Sequence, residues 1–156
     1  MTTQLSHGTD LRNKVLEGVN TLADYVATTL GPKGQNVLIH QKDRNPFVTK
    51  DGVTVARNVN FEDPHMNAGA EVVKQASAMT NAEAGDGTTT STVLTREILN
   101  QAHKHISSGT SPIEIKRGLE QCLQKAFVTI DDTAKPISSE EDIKHIATIS
   151  ANNDET

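Results

Sequence analysis

The sequence predicts a mainly α-helical protein with a small β-hairpin, and three observations support this fold class. Apolar residues recur at three- and four-residue steps over several long segments, which is the spacing of one face of an α-helix. Aromatic residues make up only 3% of the chain, so a core would consist of Val, Ile, Leu and Ala, which favours packed helices over an aromatic-rich β-sandwich. Short β-branched runs between residues 37 and 55 predict a few strands.

The first predicted helix has Asp10 as its N-cap and ends near Leu30. Its inward face would consist of Leu11, Val15, Val19, Leu22 and Val26. The cluster Gly31-Pro32-Lys33-Gly34 then interrupts helical hydrogen bonding and predicts a tight turn. Short strands are predicted at residues 37–39, 47–49 and 53–55, with a hairpin turn at residues 50–52 between the second and the third.

Two longer helices follow in the sequence pattern. One is predicted from about Asn67 to Ala84, with Gly85 as a left-handed C-cap. The next begins within residues 88–90 and ends before Gly109. The predicted inward faces are Ala68, Val72, Ala76 and Met79 for the first, and Leu94, Ile98, Ala102 and Ile106 for the second.

The last two predicted helices are marked by capping signals. One would follow Ser111 as N-cap and end before Pro136. Its inward face would be Ile115, Leu119, Cys122, Ala126 and Ile130. A short final helix would begin with a capping box of Ser138 and Glu141 and reach Ile146.

Composition and charge exclude several classes of protein. The net charge of -5 and the lack of any basic run argue against nonspecific binding to nucleic acid, which requires clustered Lys and Arg. No apolar run is long enough to cross a bilayer, and residues 1–10 lack the patterns of targeting segments. Cys122 is the single cysteine, so no intrachain disulfide can form. We therefore expect a soluble, non-exported protein that binds neither nucleic acid nor membranes.

The string Gly85-Asp86-Gly87-Thr88-Thr89-Thr90 is the most informative candidate site. It lies at a predicted helix start, where free backbone amides and the positive end of the helix dipole attract anions such as phosphate. The threonine hydroxyls add hydrogen bonds or metal-ligand oxygens, and Asp86 offers the hard oxygen that Mg²⁺ prefers beside phosphates. The same string is also typical of a polar N-cap turn that binds no ligand.

Two other loops would border the same anion. Thr29-Leu30-Gly31-Pro32-Lys33-Gly34 leads from a helix into a strand, and Lys50-Asp51-Gly52 carries a carboxylate that would approach phosphate-bound metal or water. Taken alone, each loop is more typical of a plain turn than of a binding site, and neither has the spacing of a P-loop or of a dinucleotide-binding fingerprint. Together the three loops favour an anion site more strongly than any of them does alone.

The remaining reactive residue types favour structural roles. His103 and His105 lie two apart on a predicted helix, so their side chains diverge, and no further ligands stand at structural-zinc spacing. Cys122 is typical of a small core residue rather than a nucleophile. The acidic run at residues 140–142 is typical of the charge bias at a helix start.

In their order along the chain, these loops and two further motifs resemble the signatures of the group I chaperonin family. The resembling segments are Thr29–Gly34, Thr49–Arg57, Gly85–Thr90, Lys116–Gly118 and Ile149–Asn152. The resemblance implies that residues 1–135 are the N-terminal half of a multihelical equatorial ATP-binding domain. Residues 136–156 would be the start of an intermediate, or hinge, domain.

The resemblance also implies ATP, Mg²⁺ and K⁺ as cofactors, with roles for individual residues. Asp86 would be the Mg²⁺ ligand, and Asp51 would be the catalytic residue on the γ-phosphate and water side. The main-chain oxygens of Thr29 and Lys50, together with Thr89, would border K⁺. The implied ATP-binding residues are Thr29, Leu30, Gly31, Pro32, Lys50, Asp51, Gly52, Asp86, Gly87, Thr88, Thr89, Thr90, Ile149, Ser150 and Asn152.

For a complete subunit, the resemblance implies an ATPase-type chaperone that assists the folding of non-native client proteins in a ring-shaped cavity. The ring would be homo-oligomeric and heptameric, single or double, and would work with a GroES-type co-chaperonin. The compartment would be the cytoplasm of a bacterium or of a phage-infected host, or an organellar matrix for a processed chain.

Departures from the family pattern qualify this expectation. Residues 2–8 lack the apolar, strand-like start of the family, and Pro64-His65-Met66 is unusual, which indicates a divergent phage or organellar member. The carboxylate that positions the attacking water lies beyond residue 156 in the family, so this chain alone is expected to be inactive as an ATPase. A different class of function, a non-enzymatic oligomerisation or interaction module derived from a chaperonin, fits the same helices.

Overall fold

The computed structural model describes residues 7–41 and 45–151. The elements in chain order are α1 (Thr9–Ala27), β1 (Val37–Ile39), β2 (Phe47–Thr49), α2 (Gly52–Asn58), α3 (Pro64–Ala84), α4 (Thr88–Ser107), α5 (Pro112–Thr133) and α6 (Glu140–Ser150). The predicted fold class, mainly α-helical with a small antiparallel hairpin, is confirmed. None of the helices in the described ranges is long and apolar enough to cross a membrane.

The chain divides into two compact units, Met1–Lys104 and His105–Thr156. The first contains α1, the hairpin, α2, α3 and most of α4. The second contains the last turn of α4 together with α5 and α6. All three loops that the sequence singles out lie in the first unit. They join α1 to β1, β2 to α2, and α3 to α4.

The core of the first unit forms where α1, α2 and α3 pack together. Its buried residues are Val19, Leu22 and Val26 of α1, Val55 and Ala56 of α2, and Ala70 and Val73 of α3. Two glycines bring α1 and α3 into backbone contact, because a Cβ on Gly18 would overlap the carbonyl of Met66 and one on Gly69 would overlap that of Val15. The crossing therefore depends on the lack of a side chain at both glycines.

The hairpin pairs β1 with β2, with Val37 opposite Thr49 and Ile39 opposite Phe47. The third predicted strand, at residues 53–55, is wrong, since this segment belongs to α2. The carboxylate of Asp51 accepts hydrogen bonds from the backbone amides of Val53 (3.3 Å) and Thr54 (3.0 Å) and so caps a helix at this point. This local capping outweighs the β-propensity of the two valines.

Several helix boundaries differ from the prediction for similar local reasons. Gly8 occupies the N-cap position of α1, so Asp10 lies in the first turn instead. Helix α3 begins at Pro64, because the carboxylate of Asp63 caps it through the backbone amides of His65 and Met66. The capping box of α6 forms one residue later than predicted, between Ser139 and Asp142, and the helix extends to Ser150.

The predicted inward face is right for α1. In α3 and α4 it is right only in part, since Ala76, Ala102 and Ile106 are half-buried. Helix α3 buries Gly69, Ala70, Val73 and Ser77, one step round from the predicted stripe, and it leaves Met79 63% exposed. In α4, Leu94 and Ile98 are exposed and Thr92 is buried instead. The predicted inward residues of α5 are exposed apart from Ile115, which is half-buried, and Cys122 is among the exposed ones rather than in a core.

Candidate functional site

The three candidate loops meet at Gly52, the first residue of α2. A Cβ built on Gly52 would overlap the hydroxyl of Thr89 and would lie 3.2 Å from Cγ1 of Val26 and 3.4 Å from the hydroxyl of Thr29. These neighbours come from the start of α4, the end of α1 and the turn that follows α1. The structure thus brings together Thr29, Gly52 and Thr89, which the sequence places in three separate candidate loops.

The loop after α1 is held by its own hydrogen bonds. Thr29 is 8% exposed, and its hydroxyl donates to the carbonyl of Val26 at 2.8 Å. Gly31 has a positive φ of 73°, a conformation that glycine adopts without strain. A Cβ on Gly34 would overlap the Thr29 carbonyl oxygen, so Gly34 keeps the loop folded closely over that oxygen. Leu30 and Pro32 are exposed at the outer edge of the loop.

The loop before α4 combines glycines with exposed oxygen groups. Gly85 and Gly87 both have positive φ, 72° and 79°, which turns the chain sharply between α3 and α4. The left-handed C-cap predicted for Gly85 is confirmed. Asp86 is exposed and accepts a hydrogen bond from the Gly87 amide at 2.6 Å. Its carboxylate therefore lies next to the first turn of α4.

The first turn of α4 presents the threonines predicted for phosphate binding. Thr88 and Thr89 are half-buried and Thr90 is exposed. The first amides of an α-helix have no carbonyl four residues earlier within the helix, and they carry the positive end of its dipole. The chain leaves the carbonyl end of α1 at Thr29, whose hydroxyl also lies beside Gly52. An anion-attracting helix start and a cation-attracting helix end consequently lie together.

A polar contact between α3 and α4, which the sequence did not indicate, lies next to the first turn of α4. The hydroxyl of Thr80 on α3 donates to the carbonyl of Ala76 at 3.0 Å and lies 2.9 Å from the hydroxyl of Ser91 on α4. The Thr92 hydroxyl donates to the Thr88 carbonyl at 3.0 Å. Serine and threonine are too common on helices for their spacing to reveal such a cross-helix contact.

Asp51 is exposed, and its carboxylate already accepts hydrogen bonds from neighbouring residues of α2. Besides capping two amides of α2, Oδ2 of Asp51 accepts a hydrogen bond from the Thr54 hydroxyl at 2.5 Å. The backbone amide of Asp51 in turn donates to the Thr49 hydroxyl at 3.1 Å. An ionised carboxylate has about four lone-pair positions, so these contacts leave it able to accept further bonds. Lys50 is exposed on the same loop.

The donor set fits a Mg²⁺–phosphate ligand better than a bare metal ion. Within the described ranges, three or more His, Cys, Asp or Glu side chains nowhere form a metal-binding group. Mg²⁺ is commonly bound through one or two carboxylates, with phosphate and water completing its shell. Asp86 and the hydroxyls at the start of α4 are groups of the kind that this requirement names. His103 and His105 belong to no such metal-binding group.

The remaining predicted residues lie elsewhere in the chain. Ile149 and Ser150 form the end of α6 in the second unit, where Ile149 is 70% exposed. Asn152 lies outside the described residues. Their role at the nucleotide stays a prediction.

Comparison with known proteins identifies similar chains. The family model described as "TCP-1/cpn60 chaperonin family" matches residues 22–156, a range that includes all three loops. The mitochondrial chaperonin CPN60 of Euglena gracilis is 47% identical over 147 residues, which make up 94% of this chain and 26% of that protein. The chain therefore spans about a quarter of the length of this curated relative.

Proposed function

Since the chain belongs to the TCP-1/cpn60 chaperonin family, on the group I side to which Cpn60 belongs, we propose that it acts as part of an ATP-dependent chaperone subunit. In this proposal the three loops bind the phosphates and metal ions of ATP. Binding and hydrolysis of ATP then drive a ring that encloses non-native client proteins. The observation that supports the proposal best is the meeting of Thr29, Gly52 and Thr89, which joins the three loops at one point.

Each loop has a distinct task in the proposed site. Asp86 holds Mg²⁺, while the amides and hydroxyls at residues 87–90 bind phosphate oxygens. Thr29 and Lys50, through their main-chain oxygens, and Thr89 border K⁺. When bound, the two cations would offset the negative charge of the phosphates, which together with positioning accounts for most of the catalysis of phosphoryl transfer.

Asp51 is proposed to act on the side of the γ-phosphate and the attacking water. Its hydrogen bonds to the first amides of α2 fix the orientation of the carboxylate at the edge of the site. Ile149, Ser150 and Asn152 are proposed to close the edge of the pocket from the hinge. We propose that this chain alone binds nucleotide weakly and turns over little ATP.

The partners and compartment are proposed at the level of the family. The chain would assemble in a heptameric ring, single or double, with a GroES-type co-chaperonin. The curated relative is named as mitochondrial, which is compatible with an organellar matrix as well as with the cytoplasm of a bacterium or a phage-infected host.

Isothermal titration calorimetry with MgATP tests the proposed nucleotide site. Asp86→Asn keeps an oxygen for the Gly87 amide but removes the charge that would bind Mg²⁺, so its heat of binding should fall to the level seen with ATP and excess EDTA. Asp132→Asn on exposed α5 removes the same charge far along the chain and should bind as the unaltered chain does. Equal heats for the unaltered chain and Asp86→Asn would refute nucleotide binding at this turn.

A second candidate function is a non-enzymatic interaction module, and one observation favours it. Helix α5 exposes a large set of apolar side chains, namely Ile113, Leu119, Leu123, Phe127, Val128 and Ile130, each at least 42% exposed. Surfaces of this kind are typical of protein contacts. A chain that self-associates at micromolar concentration but gives no heat with MgATP would favour this module over the ATP-binding subunit.

A further inference from the structure

Two polar side-chain pairs join α1 to α4 in the first unit. Nη1 of Arg96 lies 2.5 Å from Oδ1 of Asp24, and Nδ2 of Asn100 donates to Oδ1 of Asn20 at 2.8 Å. On each helix the two residues are four positions apart, so both pairs lie on the facing sides one turn from each other. Because the numbers fall along α1 as they rise along α4, the helices run antiparallel there.

Apolar burial contributes little to the position of α4. All of its residues lie in the described part of the chain, and of these Thr92 alone is buried. Leu99 packs against the core cluster, but Leu94 and Ile98 are 57% and 45% exposed. By contrast, α1 and α3 are fixed by a buried core and by the backbone contacts at two glycines. The polar pairs with α1 therefore add to the few other contacts that fix the axial position of α4, which are those of Leu99, Thr89 and Ser91.

The Asp24–Arg96 pair lies close to the proposed phosphate site along both helices. Arg96 follows Thr89 by seven residues, about 10 Å along a helix, and Asp24 precedes Thr29 by five residues. A slide or tilt of α4 on α1 would move the Thr89 hydroxyl away from Gly52 and Thr29. We propose that Asp24 and Arg96 are positioning residues that hold the first turn of α4 in register with the loop after α1. This inference rests on the proposed nucleotide-binding function.

For the variant Asp24→Ala, long-range electrostatics and the positioning role predict opposite changes in MgATP affinity. Asp24→Ala removes a negative charge near the proposed phosphates, so charge attraction alone would strengthen MgATP binding. If Asp24 instead positions α4, the same variant weakens binding by about two- to fivefold, the loss expected from an exposed ion pair. Arg96→Met, which keeps an unbranched side chain without the charge, should weaken binding to a similar extent.

A charge-reversed double variant separates positioning from a general loss of stability. Asp24→Arg and Arg96→Asp should each weaken MgATP binding, and the two together should restore it to within about twofold, because the ion pair is rebuilt in reverse. Thermal unfolding without nucleotide shows whether each chain remains folded. Glu71→Ala removes a carboxylate from another exposed ion pair of the same unit and should leave the affinity unchanged.

Calorimetry on the full chain and these variants, at about 0.15 M salt, decides between the outcomes. Weaker binding in Asp24→Ala, with recovery in the double reversal, supports the inference. Unchanged or tighter binding in Asp24→Ala overturns it, and so does a double reversal that stays as weak as the single variants. If the unaltered chain gives no heat with MgATP, the proposed function fails and the inference with it. If binding is lost in Asp86→Asn but unaffected in Asp24→Ala, the inference alone fails.

Discussion

Gly52 shows at the scale of one residue how a missing side chain shapes the proposed site. Its backbone lies against the hydroxyls of Thr29 and Thr89 and against Val26. A methyl group at this position would occupy the space in which the Thr89 hydroxyl now lies. The glycine therefore serves close packing rather than an unusual backbone conformation.

The variant Gly52→Ala should weaken MgATP binding more than it weakens the fold. The new Cβ would force the Thr89 side chain to rotate and carry its hydroxyl out of the site, at a cost in stability of about 1 kcal/mol. Gly118→Ala on α5 is the matched control, since a Cβ there meets no atom within 4 Å. Urea unfolding and calorimetry on both variants provide the measurement. Unchanged nucleotide affinity in Gly52→Ala would contradict the role given to Thr89.

Asp63 is a second residue whose local contacts have a measurable consequence. A hydrogen bond from the Lys14 ammonium, followed by one from the His65 backbone amide, lowers the pKa of the Asp63 carboxyl from 3.8 to about 2. The folded chain therefore keeps this carboxylate ionised at a pH where the unfolded chain protonates it. The stabilisation is complete above about pH 5 and is lost as the pH falls towards 2.

The variant Asp63→Asn should lose this pH dependence. Asparagine retains an oxygen that can cap α3 but has no charge for Lys14, so the variant should be less stable than the unaltered chain at neutral pH. The difference in free energy of unfolding should shrink as the pH falls from 5 to 2. Urea unfolding at several pH values measures this difference. A gap that stays constant with pH would show that the Lys14 contact does not stabilise the fold.

Local chemistry at the candidate site could be predicted from sequence, while its tertiary contacts could not. Gly85 as a left-handed cap and the start of α4 at Thr88 follow from rules that concern a few neighbouring residues. The overlap of Gly34 with the Thr29 carbonyl and the contact between Val26 and Gly52 depend on how whole elements pack. No spacing of residue types encodes such contacts in a single sequence.

At the scale of elements, the crossing of α1 and α3 positions the loops at their ends. Helix α1 leads into the turn at Thr29, and α3 leads into the turn at Asp86, so their relative placement sets the distance between two of the three loops. The overlaps at Gly18 and Gly69 involve backbone carbonyls, which cannot rotate away as a side chain can.

The variant Gly69→Ala should therefore be costly. Although alanine is the better helix former, its methyl group would push α1 away at Val15 and open the core, which we expect to lower the free energy of unfolding by about 2 to 3 kcal/mol. The same Gly118→Ala control should instead gain about 0.5 to 1 kcal/mol. Chemical unfolding followed by circular dichroism measures both changes. A stability gain in Gly69→Ala would contradict the close crossing.

Prediction of elements succeeded where hydrophobic periodicity agrees with local signals. Helix α1 has its predicted buried residues Val19, Leu22 and Val26. The buried face of α3 differs from the predicted face by one residue. Its closest contact uses glycine and alanine, which are weak signals in a hydrophobic pattern. The strand predicted at residues 53–55 is wrong, because an aspartate cap two residues earlier outweighs three β-branched residues.

At the scale of the whole molecule, the fold class could be predicted from composition and hydrophobic periodicity. Which apolar faces are buried could not. The apolar face of α5 predicts a contact surface, and in this chain Leu119, Phe127 and Ile130 are exposed. An amphipathic pattern reports that a helix has an apolar side without reporting what covers it. Membership of the chaperonin family and the meeting of the three loops in the first unit are the findings on which the proposed nucleotide binding rests.

The central claim is that the opening of α4, with Asp86 ahead of it, binds the metal-bound phosphates of ATP. Backbone amide NMR of this 16.8 kDa chain during titration with MgATP tests it most directly. We predict that the largest resonance shifts fall at residues 86–91 and 29–34, and that Asp86→Asn abolishes them. Shifts that leave residues 86–91 unaffected, or that persist unchanged in Asp86→Asn, would contradict the claim.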